Sequence, residues 1–219
     1  MKSVGIVVFP GSNCEFDVAS VLESNGVKTS FLWHGQSDLD DVSGVILPGG
    51  FAHGDYLRPG AIARFSPVMS AVGEFAKRGG PILGICNGFQ VLTEAGLLPG
   101  ALQKNSGLRF LCKEVEVEIG TSDSVATATS NVGDILRLPI NHFEGNYTCD
   151  VRTLADIEDN GQIVLKYLDN PNGSMNSIAG VCSEKRNVVG MMPHPERACD
   201  SLTGLTDGLQ IIQSFIASI

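Results

Sequence analysis

Several kinds of run are missing from this 219-residue chain, and each absence removes a class of function. Lys and Arg form no continuous basic stretch; 15 basic residues stand against 24 acidic ones, for a formal charge of -9. Without a strip of positive charge to track a phosphate backbone, nucleic-acid binding is excluded from the expected functions. The apolar opening segment, Lys2 to Phe9, falls well short of the about 20 residues that cross a bilayer. Pro10-Gly11-Ser12-Asn13 then reads as a turn, not as a signal cleavage site. No membrane association and a cytoplasmic location are the expectations.

Paired cysteines are missing too. Cys14, Cys86, Cys112, Cys149, Cys182 and Cys199 are scattered and form no C-x-x-C pair for zinc or redox work. Apart from Cys86 they are expected to be buried free thiols. No His, Cys, Asp and Glu cluster has the sequence spacing of metal ligands, so no metal is expected. No Gly-Lys-Ser/Thr follows a glycine turn, which disfavours a phosphate loop. Internal repeats and low-complexity tracts are absent as well. With 43% hydrophobic residues and Gly and Pro spread along the chain, the composition is that of an ordinary globular protein, expected to be a single domain over residues 1–219.

The apolar pattern predicts alternating strands and helices. Val4 to Phe9 is a near-continuous β-branched run, the texture of a strand buried on both faces of a parallel sheet. Val18, Val21 and Leu22 give the next segment a helical apolar face, with Asn13 placed to cap it and Gly26 to end it. Strands at Lys28 to Trp33 and Gly44 to Leu47 follow, then a helix marked by Val68, Val72 and Phe75, and a short strand from Pro81 to Ile85. That order predicts a doubly wound α/β fold with a mostly parallel sheet and helices on both faces. Lys113 to Ile119 alternates charged and apolar residues, the mark of an antiparallel extension with one face in water. Apolar strands return at Ile178 to Cys182 and Val188 to Met192, and Leu205, Leu209, Ile212 and Ile216 share one face of a last helix.

Chemistry concentrates in three segments. In Gly84-Ile85-Cys86-Asn87-Gly88 a buried strand runs through a cysteine into a helix, as in a nucleophile elbow. Glycines two residues before and after remove side chains that would collide at such a turn, and the helix start favours a thiolate. Taken alone, the pattern also fits a buried cysteine at an ordinary strand-to-helix turn. In Pro193-His194-Pro195-Glu196 the prolines restrict His194, which can serve as general acid and base while Glu196 sets its tautomer. A solvated Pro-rich turn would read the same way. Finally, Gly49-Gly50-Phe51 stands at the carboxyl end of a strand, where such sheets bind ligands; amides of Gly50 and Asn87 could form a two-donor oxyanion hole, although a plain tight turn is also open. His34 and His53 suggest no role.

Together these segments resemble the three signatures of class I glutamine amidotransferases. Gly54-Asp55-Tyr56-Leu57-Arg58-Pro59-Gly60, Pro139-Ile140-Asn141-His142-Phe143-Glu144-Gly145 and Met191 to Arg197 further resemble the glutaminase subunits of phosphoribosylformylglycinamidine synthases, over nearly the whole chain. The resemblance implies L-glutamine as substrate, Cys86 as nucleophile, His194 as acid and base, Glu196 as its orienter, and Gly50 with Asn87 as oxyanion donors. It implies that Gln90 and the loop around His142 hold glutamine, although Gln90 could equally pack inside its helix. It also implies a large synthetase subunit, and a small accessory subunit, as partners in de novo purine biosynthesis; ATP and Mg would be used by the synthetase, with no cofactor in this chain. A docking face near Gly50 to Pro67 is the expectation. The rival readings are a stand-alone cysteine hydrolase of the same superfold, such as a γ-glutamyl hydrolase or peptidase, and a non-catalytic partner subunit.

Overall fold

The computed structural model describes residues 2–202 and 204–219. The first half runs β1 (Ser3–Val8), α1 (Glu15–Ser24), β2 (Lys28–Trp33), β3 (Gly44–Leu47), α2 (Pro67–Lys77), β4 (Ile82–Ile85) and α3 (Asn87–Glu94). The second half adds β5 (Ala101–Gln103), β6 (Leu111–Ile119), β7 (Ile135–His142), β8 (Asn146–Thr148), α4 (Val151–Asp159), β9 (Ile163–Tyr167), β10 (Ile178–Cys182), β11 (Val188–Met191) and α5 (Gly208–Ala217).

Nine strands form one sheet in the order β2-β1-β3-β4-β11-β10-β9-β6-β7, while β5 and β8 pair separately. Neighbours from β2 to β11 are parallel, and from β11 to β7 they are antiparallel. The texture of the sequence explains the division. Every residue of β3, β4, β10 and β11 is buried, as central strands require. On β6 and β7, Val115, Val117, Leu136, Leu138 and Ile140 point inward while Glu114, Glu116 and Arg137 face water, which is the alternation of a half-wetted extension.

Helices cover both faces. Gly44 and Leu47 lie three residues apart on β3 and so point to opposite sides. A Cβ on Gly44 would come 3.1 Å from Phe215 of α5. On the other side Gly84, in register with Leu47, would bring a Cβ to 2.5 Å from Leu92 of α3. The doubly wound α/β architecture with an antiparallel extension is thus present. No helix among the described residues is long and apolar enough to cross a membrane.

Local expectations differ from the structure at four places. Cys14, not Asn13, holds the N-cap position of α1, without a side-chain capping bond; a bridge between Ser12 and Gly50 fixes the preceding turn and delays the helix by one residue. Leu205 lies outside α5, bridged to Asp200. α4 is an additional helix: Leu154 and Ile157, three residues apart, face the core, and its start is set by Asp150, whose carboxylate accepts from the amides of Arg152 and Thr153. Of the cysteines expected to be buried, Cys14 and Cys182 are, whereas Cys149 and Cys199 are half-buried and Cys112 is exposed on β6; all are free thiols.

Candidate active site

The carboxyl ends of four adjacent parallel strands supply the site. β1 leads into Phe9 to Cys14, β3 into Pro48 to Phe51, β4 directly into Cys86, and β11 into Met192 to Glu196. The pairing of Ile85 with Met191 is what brings the cysteine and histidine segments together.

Cys86 has φ 49 and ψ -103, a left-handed conformation that side chains other than glycine adopt only under constraint. Its amide is held by Met191 O at 2.7 Å, and its carbonyl accepts the first helical bond, from Gln90 N at 3.2 Å. The flanking glycines are required sterically. A Cβ on Gly88 would lie 2.0 Å from Leu47 O, and one on Gly84 would lie 2.9 Å from the Gly88 carbonyl. Cys86 is buried, and its sulfur faces Asn141 O at 3.7 Å. The unpaired amides of the α3 N-terminus lie next to it.

His194 is 1% exposed and its amide donates to Pro139 O at 2.9 Å on β7. Its Nδ1 donates to Glu196 Oε1 at 2.6 Å; because a carboxylate only accepts, this bond fixes the tautomer and leaves Nε2, buried and without a hydrogen-bond partner among the described residues, for proton transfer. Burial opposes a charge on the ring, but Glu196, Cys86 and Cys14 outweigh it and hold the imidazolium well above the usual histidine range.

A cavity of about 320 Å³ joins these groups, lined among others by Cys14, Gly50, Asp55, Cys86, Gln90, His142, Glu144 and His194. Gly50 has φ 139, and a Cβ there would meet Asn13 N at 2.7 Å, so the position admits only glycine. Asn87 stands in the first turn of α3, where its amide has no helical partner. Its side chain ties the neighbourhood together, accepting from Ala52 N at 3.0 Å and donating to Asp55 Oδ1 at 3.0 Å and Gln90 Oε1 at 2.9 Å.

Gln90 reaches the cavity wall, with its side-chain amide engaged: its Nε2 donates to Glu144 O at 2.5 Å. His142 lies at the end of β7, and its Nδ1 donates to Asn105 Oδ1 at 3.1 Å. Burial first, and the nearby His194 charge second, push its pKa down to about 4. The ring is therefore neutral near pH 7, with Nε2 a buried acceptor without a hydrogen-bond partner among the described residues. His34 and His53 meet edge to face beside Phe9, with ring centroids 5.2 Å apart, and neither lines the cavity.

Sequence reasoning passed over Asp55 and Cys14 as site residues. Burial, with Glu144 adding to it and the Asn87 bond opposing, raises the Asp55 carboxyl to about 6. Cys14 Sγ, a His194 nitrogen and a Glu196 carboxylate oxygen lie within 4.8 Å of one another, the grouping of potential metal ligands found among the described residues. Their sequence spacing hides it; the signal that could have found Cys14 is its place just past the carboxyl end of a parallel strand.

The model of a family described as the CobB/CobQ-like glutamine amidotransferase domain matches residues 1–205. The chain is 58% identical over 214 residues to the phosphoribosylformylglycinamidine synthase subunit PurQ of Rubrobacter xylanophilus, covering 98% of this chain and 97% of that protein. It is 54% identical over 217 residues to the PurQ subunit of a Nostoc species, with the same coverage. Among solved structures, PurLQS from Thermotoga maritima is similar with a TM-score of 0.91 and 43% identity, over 99% of this chain and 98% of that one. A glutamine amidotransferase from Thermotoga maritima shares the fold, with a TM-score of 0.61 at 17% identity, over 89% of this chain and 76% of that one.

Proposed function

This chain belongs to the glutamine amidotransferase family, and we propose that it is the glutaminase subunit of a phosphoribosylformylglycinamidine synthase, a single domain over residues 1–219. The Cys86 sulfur attacks the side-chain carbonyl carbon of L-glutamine. Amides of Gly50 and Asn87 stabilise the oxyanion, and His194 passes its proton to the departing ammonia, leaving a glutamyl thioester. His194 then takes a proton from water as the thioester is hydrolysed to glutamate. Glu196 holds the ring and its charge throughout. Neutral His142 offers Nε2 as an acceptor to the substrate amide, and Gln90 braces the Glu144 loop and Asn87 that frame it.

The observation that carries this reading is the meeting, at one cavity, of a cysteine in a strained elbow with a histidine locked by a carboxylate. ATP and Mg belong to the partner synthetase, which uses the ammonia to convert formylglycinamide ribonucleotide to formylglycinamidine ribonucleotide; a small accessory subunit completes the assembly, in the cytoplasm. No metal or cofactor is assigned to this chain. Support for a docking face along the loop from Gly50 to Pro67 comes from Phe51, at the cavity, and from Tyr56, Leu57 and Phe65, large apolar side chains left in water. Arg58 is instead committed within the chain, donating twice to Glu94, so Leu57→Asp probes docking more cleanly than a charge change at Arg58.

Reconstitution with a synthetase subunit tests the reading. The chain should support product formation with glutamine, and Leu57→Asp should weaken association. A wild-type chain that yields no glutamine-driven product would remove the pathway assignment.

A further inference from the structure

We propose that Cys14, held by Arg197, is a positioning residue for the acid–base pair: a second sulfur that flanks His194 and Glu196 and helps His194 keep its proton. This deepens the reading of His194 as the proton carrier and rests on it.

The hydrogen bonds fix which way the sulfur faces. Arg197 Nη2 donates to Cys14 Sγ at 3.0 Å, and a guanidinium has no acceptor, so the sulfur must receive. The thiol hydrogen goes to Asn13 Oδ1 at 3.1 Å. Cys14 therefore presents an electron-rich atom to its surroundings, and those surroundings are a His194 nitrogen and a Glu196 oxygen, all within 4.8 Å. Gly49 keeps the space open, since a Cβ there would lie 2.6 Å from His194 Cε1 and 3.2 Å from Cys14 Sγ.

Arg197 is itself anchored. Its Nε donates to Asp17 Oδ2 at 3.2 Å, in the first turn of α1, and lies 4.0 Å from Glu196 Oε1. Glu196 Oε2, buried, has no hydrogen-bond partner among the described residues. The three-ligand grouping has the spacing of a cation site, but the guanidinium already brings a positive charge to its sulfur and carboxylate. That favours a hydrogen-bonded support over a metal centre.

The groups facing His194 are Cys86 from the elbow, Cys14 from the turn before α1, Glu196 from its own segment, and neutral His142 from β7, while the Arg197 guanidinium contacts Cys14 and lies 4.0 Å from Glu196. Burial opposes the imidazolium, and Cys14 acts with Glu196 and Cys86 to favour it. Removing the sulfur should therefore make His194 lose its proton at lower pH. An enzyme that needs the imidazolium to protonate ammonia would then lose activity earlier on the alkaline side.

The test compares the wild-type chain with Cys14→Ala, Cys14→Val and Cys14→Ser. Two readouts are used: the pH dependence of glutaminase activity in the reconstituted complex, and the NMR titration of the His194 ring in the full chain. In the Ala and Val variants the alkaline limb and the ring titration should both move down by about half a pH unit or more, with kcat falling about 10-fold and KM for glutamine nearly unchanged. Ser, whose hydroxyl can still accept from Arg197, should recover part of each shift. Val fills the space Ala leaves, so the pair separates packing from hydrogen bonding. A ring titration unmoved in both apolar variants overturns the proposal, even if kcat falls. If the wild-type complex shows no glutaminase activity while the titration still moves with Cys14, the functional reading fails and the positioning role stands.

Discussion

At the end of β1 the chain wanders from Phe9 to Cys14 before α1 begins, and Cys14 sits at the N-cap position with ordinary backbone angles, φ -107 and ψ 5. At the end of β4 Cys86 alone joins strand to helix, with φ 49 and ψ -103. Both sulfurs are buried, both stand at a helix N-terminus, and both line the same cavity. Helix-end electrostatics therefore cannot be what distinguishes a nucleophile from a support. The difference lies in backbone and in partners: Cys14 gives its hydrogen to Asn13 and receives from Arg197, whereas Cys86 faces Asn141 O at 3.7 Å and interacts with His194. The elbow thus turns its sulfur toward the histidine in a strained pose, while the longer turn lets its sulfur settle between Asn13 and Arg197.

The strongest way to break this comparison is to ask which sulfur reacts. An electrophilic glutamine analogue should alkylate Cys86 and spare Cys14, as read by peptide mass mapping. Cys86→Ala should lower glutamine-driven product formation by about 10⁴-fold or more while the ammonia-driven rate survives. Equal labelling of the two cysteines would erase the distinction.

Next in size is the carboxylate behind His194. Glu196→Gln keeps an oxygen to accept from Nδ1 but removes the charge, so kcat should fall about 10²- to 10³-fold with little change in KM. The sign of the pH effect follows from the raised pKa: without the charge His194 deprotonates earlier, and the alkaline limb moves to lower pH. A loss of kcat with that limb fixed would mean that Glu196 only orients the ring.

Gly88→Ala probes the elbow itself. Its Cβ would lie 2.0 Å from Leu47 O, backbone that cannot rotate away, so stability should fall by about 3 kcal/mol, measured by urea unfolding. An unchanged midpoint would show that the β4–α3 turn is looser than the close approach of β3 and α3 implies.

The same contrast between the two cysteines governs what is legible in the sequence. Gly-x-Cys-x-Gly carries its own steric reason within five residues, and His194 meets Glu196 two residues away, so both can be read locally. Cys14 and Arg197 are 183 residues apart, and although Arg197 closes the Met191 to Arg197 segment, neither local pattern points to the other; only pairing of distant strands brings them together. The fold divides in the same way. β-branched runs announce the parallel strands, but nothing local tells that β11 inserts between β4 and β10, and that insertion is what carries His194 to Cys86.

The smallest expected effect concerns the loop that links the two turns. Phe51 N donates to Gly11 O at 3.1 Å and His53 N to Pro10 O at 2.6 Å, on the side of the first turn. On the side of the second, Ala52 N donates to Asn87 Oδ1, and Asn87 Nδ2 to Asp55 Oδ1, each at 3.0 Å. Burial, reinforced by Glu144, raises Asp55 from 3.8 to about 6. A carboxyl raised in the folded state is destabilising once ionised: its stability contribution is whole below its ordinary pKa and lost as pH rises through the folded value. Between about pH 4 and 6 the protein should therefore lose stability through this group, by an amount reduced because Asp55 is only part-buried. Asp55→Asn keeps an oxygen for Asn87 and removes the titration, so its melting temperature should vary less across that window and exceed the wild-type value above pH 6. Parallel profiles for the two proteins would mean that Asp55 ionises without penalty, and that the loop holds the elbow and the longer turn together independently of its charge.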